Sequence, residues 1–331
     1  MSVGIQSVPS RDNSGVKSMQ TFIRVTEIWI PTDTGSELEL KDGNYDSLEE
    51  FGQISGKEKF ALGEGLPGKA WELARPLVLK SFDNSYFLRT EIAHKVGLTS
   101  AVAIPVFAGE RLNAVLVFLC GEQRQPEGAI EIWRDDGLSG LSFIDGYYGE
   151  LEKFEWISKR IKFPRGRGLP GMVWEKSQPL LMGDLANSNS FLRSQSAAEA
   201  GITTGIGLPF YSNQKTEAVD AVITFLSSSG TPIAKRFEVW LPDEETNSLL
   251  FEAGIDQGSR VVDKPNPMRF FKKGEGTVGG VWQTGIPAIS HDVSHELSIC
   301  GQDDSNNNYD SLLAIPLFQN STLNSVVVFY N

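Results

Sequence analysis

The sequence holds little of what reactive chemistry usually needs. In 331 residues there are two cysteines, Cys120 and Cys300, and three histidines. Two cysteines cannot make a disulfide framework, and these two fall at non-equivalent places in the repeat described below, so a reducing compartment is expected. No apolar run approaches the ~20 residues of a membrane-spanning helix. None of signal-peptide length opens the chain. The expected location is therefore cytoplasmic, with no membrane partner. Basic residues are outnumbered 30 to 42, for a formal net charge of −12. This argues against a nucleic-acid partner held by a broad basic face. Residues 1–21 are polar, with serine, glycine and proline, and read as a disordered tail. The remainder, at 40% hydrophobic and 22% charged residues, has the composition of a globular chain.

What the sequence has is a threefold repetition. A tryptophan-centred strand recurs as Glu27-Ile28-Trp29, Glu131-Ile132-Trp133 and Glu238-Val239-Trp240. A glycine block recurs as Gly63–Gly68 (GEGLPG), Gly166–Gly171 (GRGLPG) and Gly274–Gly279 (GEGTVG). Strand prolines recur at Pro105, Pro209 and Pro316, 104 and 107 residues apart, and the tryptophans keep the same two intervals. That period is too long for solenoid repeats of ~20–50 residues and long enough for a domain with its own core. The expected organisation is a tail at 1–21 and three domains, at 22–122, 126–229 and 234–331.

Within each copy, alternating apolar residues such as Phe22 to Ile30 predict a first strand, and a polar turn leads to a second. An irregular stretch then reaches a third strand at Phe60, Phe163 or Phe270. The glycine block opens a short helix that Pro76, Pro179 or Pro287 closes early. A second helix is predicted in copies one and two, at Phe87–Val96 and Phe191–Ala200. Gly97 and Gly201 end it, and Asn308 is the aligned residue in copy three. A closing hairpin carries the prolines, which must sit at a bulge, an edge or an unpaired ladder position. The fold class is α+β: three antiparallel sheets of about six strands, each with short helices packed on it.

These motifs resemble the GAF domain family. The G-x-G-L-P-G-x-x-W block, the Phe-Leu-Arg that follows and the Ile-Pro or Leu-Pro strand carry the resemblance, which covers nearly all of residues 22–331 in three copies; the third keeps the block's glycines and tryptophan and the Ile-Pro strand but not Leu-Pro or Phe-Leu-Arg. The Glu-Ile-Trp-Ile-Pro opening is also similar to the GAF-like sensor region of NIN-like regulators. The resemblance implies six-stranded sheets that bind small ligands between sheet and helices. It also implies dimerisation through flanking helices, for which the short linkers leave little room.

The glycine blocks match G-x-G-x-x-G formally, but a dinucleotide site needs a long crossover helix and a parallel strand. Pro76 and Pro67 argue instead for a strand-to-helix turn. Trp71 and Trp174 on the short helices could face a ligand or simply anchor the helix. Arg89 and Arg193, each just after Phe-Leu, could clamp a carboxylate or phosphate or tie down a loop. Phe87 and Phe191 stand beside them. Copy three places Ser298 and Cys300 at the corresponding positions and continues with Asp303 to Asn308, so it is expected to bind differently or not at all. His291, His295, Cys300 and Asp303 meet no metal-ligand spacing. Neither cysteine precedes a histidine, as bilin attachment would require. No catalytic array repeats across the copies.

The expected function is a non-enzymatic regulatory protein with no cofactor, binding an unknown small molecule near Trp71, Phe87, Arg89, Trp174, Phe191 and Arg193 and signalling to a protein partner. A ligand-free scaffold for protein interaction is the competing reading.

Overall fold

The computed structural model describes residues 21–121, 128–214, 218–256, 261–262, 264–265, 267–302 and 308–331. The expected tail, Thr21 excepted, and residues 303–307 lie outside them.

Three units follow one another. Unit 1 runs β1 (Val25–Pro31), β2 (Glu37–Asn44), α1 (Glu49–Ser55), β3 (Lys59–Ala61), α2 (Gly65–Leu73), β4 (Leu77–Leu79), α3 (Thr90–Lys95), β5 (Leu98–Ala108) and β6 (Arg111–Gly121). Unit 2 repeats it as β7 (Gly128–Asp135), β8 (Leu141–Tyr147), α4 (Glu152–Ser158), β9 (Lys162–Phe163), α5 (Gly168–Lys176), β10 (Leu180–Met182), α6 (Ser194–Glu199), β11 (Ile202–Phe210) and β12 (Ala221–Ser228). Unit 3 has β13 (Arg236–Asp243), β14 (Ser248–Asp256), β15 (Val261–Val262), β16 (Phe270–Lys272), α7 (Gly276–Thr284), β17 (Ala288–Ser290), α8 (Val293–Ile299), β18 (Leu312–Gln319) and β19 (Thr322–Tyr330).

Each unit is one antiparallel sheet. The orders are β3-β2-β1-β6-β5-β4, then β9-β8-β7-β12-β11-β10, then β15-β14-β13-β19-β18-β17 with β16 also paired to β14. The α+β class and the three tandem sheets are as the sequence predicts. Several details differ. The irregular stretch holds a helix in units 1 and 2, α1 and α4. The second helix is shorter than predicted, so Arg89 and Arg193 sit at its N-cap. Copy three does have that helix: α8 ends at Gly301, which takes the left-handed conformation (φ 75°) expected of Asn308. Phe271, not Phe270, is the true counterpart of Phe60 and Phe163. It lies edge-on to Trp240 at 4.8 Å, as Phe60 and Phe163 lie to Trp29 and Trp133 at 4.7 Å.

The glycine block is a strand-to-helix turn, as its prolines suggest. Gly63 and Gly65 have positive φ, 82° and 58°. Gly68 is required for another reason: a Cβ there would lie 2.1 Å from the Ala61 carbonyl oxygen. The strand prolines solve their missing donor by position. Pro105 pairs with Val115 on β6, while β4 reaches only Ala103 on the other side.

Both faces of each sheet are buried along its central strands. In β1, Val25 and Trp29 face the unit's own helices, while Ile28 faces the other two units. In β6, Val115, Val117 and Leu119 face inward to the unit, and Leu116 and Phe118 face away from it. The outward faces of all three sheets merge in one core, where Phe225 meets Phe118 at 5.7 Å and Phe329 at 5.3 Å. These three phenylalanines are the same position of the repeat, so the units stand around a pseudo-threefold axis. The ring closes: β4 packs on β8 of unit 2, β10 on β14 of unit 3, and β17 on β2 of unit 1.

Candidate functional site

The space between sheet and helices, where the resemblance implies a ligand, is occupied by an ion pair. Even spacing along β1 puts Glu27 and Trp29 on one face, toward α1 and α3. Arg89 enters from the start of α3. Its Nη2 donates to Glu27 Oε2 at 2.9 Å, its Nη1 donates to Glu27 Oε1, and Nη1 also donates to Ser55 Oγ on α1. Trp29 Nε1 donates to Glu27 Oε2 at 3.0 Å and the Tyr45 hydroxyl to Oε1 at 3.3 Å. Glu27 is fully buried and Arg89 nearly so. Rings of Trp29, Phe51, Phe60 and Phe87 surround the guanidinium at 4.9–5.8 Å.

Unit 2 repeats the arrangement. Arg193 Nη2 donates to Glu131 Oε2 at 2.9 Å, and Nη1 reaches Glu131 Oε1 and Ser158 Oγ. Trp133 Nε1, the Tyr148 hydroxyl and the Thr224 hydroxyl complete the carboxylate's shell at 3.2, 3.0 and 2.8 Å. Burial works to raise the Glu131 carboxyl. The Arg193 charge and the hydrogen bonds from Arg193, Thr224 and Tyr148 outweigh it, so the group stays below the usual glutamate range. Burial, then the glutamate charge, push the Tyr45 and Tyr148 hydroxyls far upward, so both remain donors.

Unit 3 keeps the carboxylate and changes the arginine. Glu238 accepts from Arg269 Nη2 at 2.7 Å and from Arg236 Nη2. Trp240 Nε1 at 3.1 Å and the Tyr330 hydroxyl at 2.9 Å donate to its other oxygen. Arg269 precedes β16 and Arg236 opens β13, so neither comes from the helix that supplies Arg89. Copy three does differ, as the sequence suggests, but the same space is still filled by a buried arginine–glutamate pair.

Of the sequence candidates, Phe87 with Arg89 and Phe191 with Arg193 are brought together; the Phe191 ring lies 5.3 Å from the Arg193 guanidinium. Trp71 and Trp174 are half-buried on α2 and α5 and are not among the rings around either guanidinium. Lys69 covers Tyr86 at 5.4 Å and Arg165 covers Trp174 at 5.5 Å. The residues that sequence reasoning missed are the glutamates. Their signal was the Glu-x-Trp repeat: a carboxylate two residues from a core tryptophan in every copy must share its buried face. His295 belongs to α8, where its amide donates to the Asp292 cap at 3.1 Å. Among the described residues no group of three or more His, Cys, Asp or Glu could hold a metal; Asp303 lies outside them. Burial pushes the Cys300 thiol up to about 11 and Cys120 higher.

Other openings lie elsewhere. A shallow apolar cup sits on the pseudo-threefold axis, where Ile104-Pro105, Leu208-Pro209 and Ile315-Pro316 converge. A groove in unit 2 between α4 and α6 is lined by Leu151, Phe154 and Ser196, with Glu150, Glu152, Glu199 and Lys153, which bridges to Glu199. No helix of the described residues is long and apolar enough to cross a membrane.

No protein-family model and no curated protein matches this chain. Solved structures similar to parts of it include the GAF domain of A. Aeolicus nlh2 in an inactive state, with 22% identity over 30% of this chain and 59% of that one, at a TM-score of 0.25. The GAF domain from a Coxiella burnetii phosphoenolpyruvate-protein phosphotransferase has 23% identity over 30% and 58%, at 0.25. The free methionine-R-sulfoxide reductase from Neisseria meningitidis, in complex with its substrate, has 15% identity over 32% and 58%, at 0.25. This chain spans less than two thirds of each of them. Its own geometry, two six-stranded and one seven-stranded antiparallel sheets with short helices on one face, agrees with the GAF-like architecture that the sequence motifs imply.

Proposed function

We propose that this chain of three tandem GAF-like units is a non-catalytic regulatory scaffold, in which the sheet–helix sites serve as internal locks and the output is contact with a protein partner. The observation that carries this reading is the buried arginine–glutamate pair in all three units. An arginine drawn from a different element in unit 3 still closes the same space, so what recurs is the closure itself. A ligand there would have to displace a guanidinium from a bidentate, desolvated carboxylate. Removing one partner of a buried pair leaves an uncompensated charge, which costs about 3–5 kcal/mol. The buried thiols Cys120 and Cys300 lie in different units and are not disposed for disulfide chemistry.

Small-molecule sensing keeps a foothold in the groove between α4 and α6 of unit 2, where Lys153 stands beside the three glutamates and bridges to Glu199. Native mass spectrometry of the purified chain separates the two readings. The scaffold predicts the mass of the bare polypeptide, and no thermal shift from a metabolite panel. A small molecule recovered at one or more equivalents per chain and released on unfolding would overturn it.

A further inference from the structure

Unit 3 departs from its siblings at one place on the outer rim. With Phe271 aligned to Phe60 and Phe163, the residues one and three positions before it are Lys59 and Lys57 in unit 1, and Lys162 and Arg160 in unit 2. All four are exposed cations. Lys59 bridges to Glu39 at 3.5 Å, and Lys162 bridges to Asp136. Unit 3 has Phe270 and Met268 there, 43% and 42% exposed. Charged side chains, lysine above all, are the usual protection of a sheet edge against pairing with another chain. Unit 3 has lost both and carries two large apolar side chains in their stead.

The backbone beneath is open on one side among the described residues, where β16 pairs only with β14. Phe251 N–H donates to Arg269 O and Lys273 N–H donates to Asn247 O, so alternate residues turn their polar groups toward β14. Phe270, between them, turns its N–H and C=O outward, and no bond from another described residue reaches them. At Lys272 the outward groups are taken: its N–H donates to Glu275 Oε2 at 3.2 Å, and its carbonyl accepts from Glu275 N–H at 2.9 Å. The side chains of Met268, Phe270 and Lys272 share a face by strand alternation. Neither Lys272 nor Lys273 bridges to a carboxylate among the described residues, and Lys273 lies over the Trp282 ring at 4.9 Å.

We propose that the β16 edge of unit 3 is a docking site for an extended segment of another protein. The segment adds as a strand beside Met268–Phe270, lays apolar side chains on those two residues and sets a carboxylate near Lys272. Backbone pairing supplies affinity and alternate side chains supply specificity. A second copy of this chain is a poor occupant, because each copy carries a net charge of −12 and the two would repel. The proposal rests on the scaffold reading and names its contact surface.

The test pans a random displayed peptide library on the full chain, with Met268→Lys/Phe270→Lys as the counter-target. That variant restores the cations that units 1 and 2 tolerate, and circular dichroism checks that it folds. Selected peptides are expected to alternate apolar residues and carry Asp or Glu. They should bind the double variant about 30-fold or more weakly, the loss expected of an aromatic anchor, and slow hydrogen exchange at the Phe270 amide. Lys272→Glu, a second variant, should weaken the same peptides. Peptides that bind wild type and double variant alike, or leave the Phe270 amide unprotected, overturn the proposal. So does self-association of the wild type that the double variant abolishes. A co-purified small molecule would sink the scaffold reading alone and leave the peptide outcome readable.

Discussion

A buried carboxylate is tolerable only with full compensation, and Glu27, Glu131 and Glu238 each receive it from an arginine, a tryptophan and a tyrosine. Arg89→Ala should therefore cost about 3–5 kcal/mol in denaturant unfolding, because it strands the Glu27 charge. The aromatic walls of the vacated site remain, so methylguanidinium in the millimolar range should raise the variant's melting temperature and leave wild type unchanged. Absence of rescue would show that the site collapses and is not a preformed cage. The Glu131 pair also fixes a pH dependence. Its folded carboxyl is held below the unfolded value of about 4.3, so its contribution is complete above that pH and lost as pH falls through the folded value. The stability gap between wild type and Glu131→Gln should be widest near neutrality and shrink as pH drops below about 4.3. A gap constant with pH would mean that the carboxylate charge contributes nothing. The arginines were legible as site residues because they recur after Phe-Leu. Their partner was not, because an isolated glutamate beside a tryptophan looks like any strand residue until both are known to face inward.

At the scale of single elements, the copies act as internal controls. Helices α2, α5 and α7 all end on a residue in the left-handed region: Ala74 (φ 47°), Ser177 (φ 55°) and Gly285 (φ 70°). Only glycine adopts that conformation without a Cβ penalty. Ala74→Gly should stabilise the chain by up to about 1 kcal/mol and Gly285→Ala should destabilise it by a similar or larger amount, read from chemical denaturation midpoints. Equal effects of either sign would mean that tertiary contacts and not backbone strain set these positions. The glycine block was readable because a proline-closed turn has few alternatives, whereas α1 and α4 were read as irregular stretches. Each spans only seven residues, too short for periodicity to stand out. The third-strand phenylalanine of copy three was displaced by one because Phe270 and Phe271 are adjacent and both apolar. The neighbouring glycine block would have settled it, since Phe60, Phe163 and Phe271 each precede the first block glycine by three residues.

The whole molecule is a closed ring of three, and its closure changes what a repeat means. Near-continuous apolar runs such as Ala101–Phe107 and Ala114–Leu119 do not fit a sheet with one solvated face, which would alternate. They fit sheets covered twice, by their own helices and by the other two units. The period read from sequence implied three domains able to fold alone; the shared core joins them. Matching bonds cross two of the three boundaries. Asn113 Nδ2 donates to Gly285 O at 3.0 Å, and Asn324 Nδ2 donates to Ser177 O at 3.0 Å, each capping the helix end of a neighbouring unit. At the third boundary the repeat supplies Asp220, which cannot donate and instead accepts from Ser212 N–H at 2.7 Å. The unit 1–2 boundary relies on Lys80, bridging Asp145 and Glu155 at 3.3 and 3.1 Å. Such half-exposed bridges contribute only about 0–1 kcal/mol, so the apolar core must hold the ring. Residues 1–229 alone should then expose the outward faces of two sheets, including Phe118 and Phe225. That fragment is expected to bind an apolar dye, to melt below the full chain and to self-associate, whereas the intact ring does none of these. A fragment that melts as high as the full chain and stays monomeric would mean that the three units are independent after all.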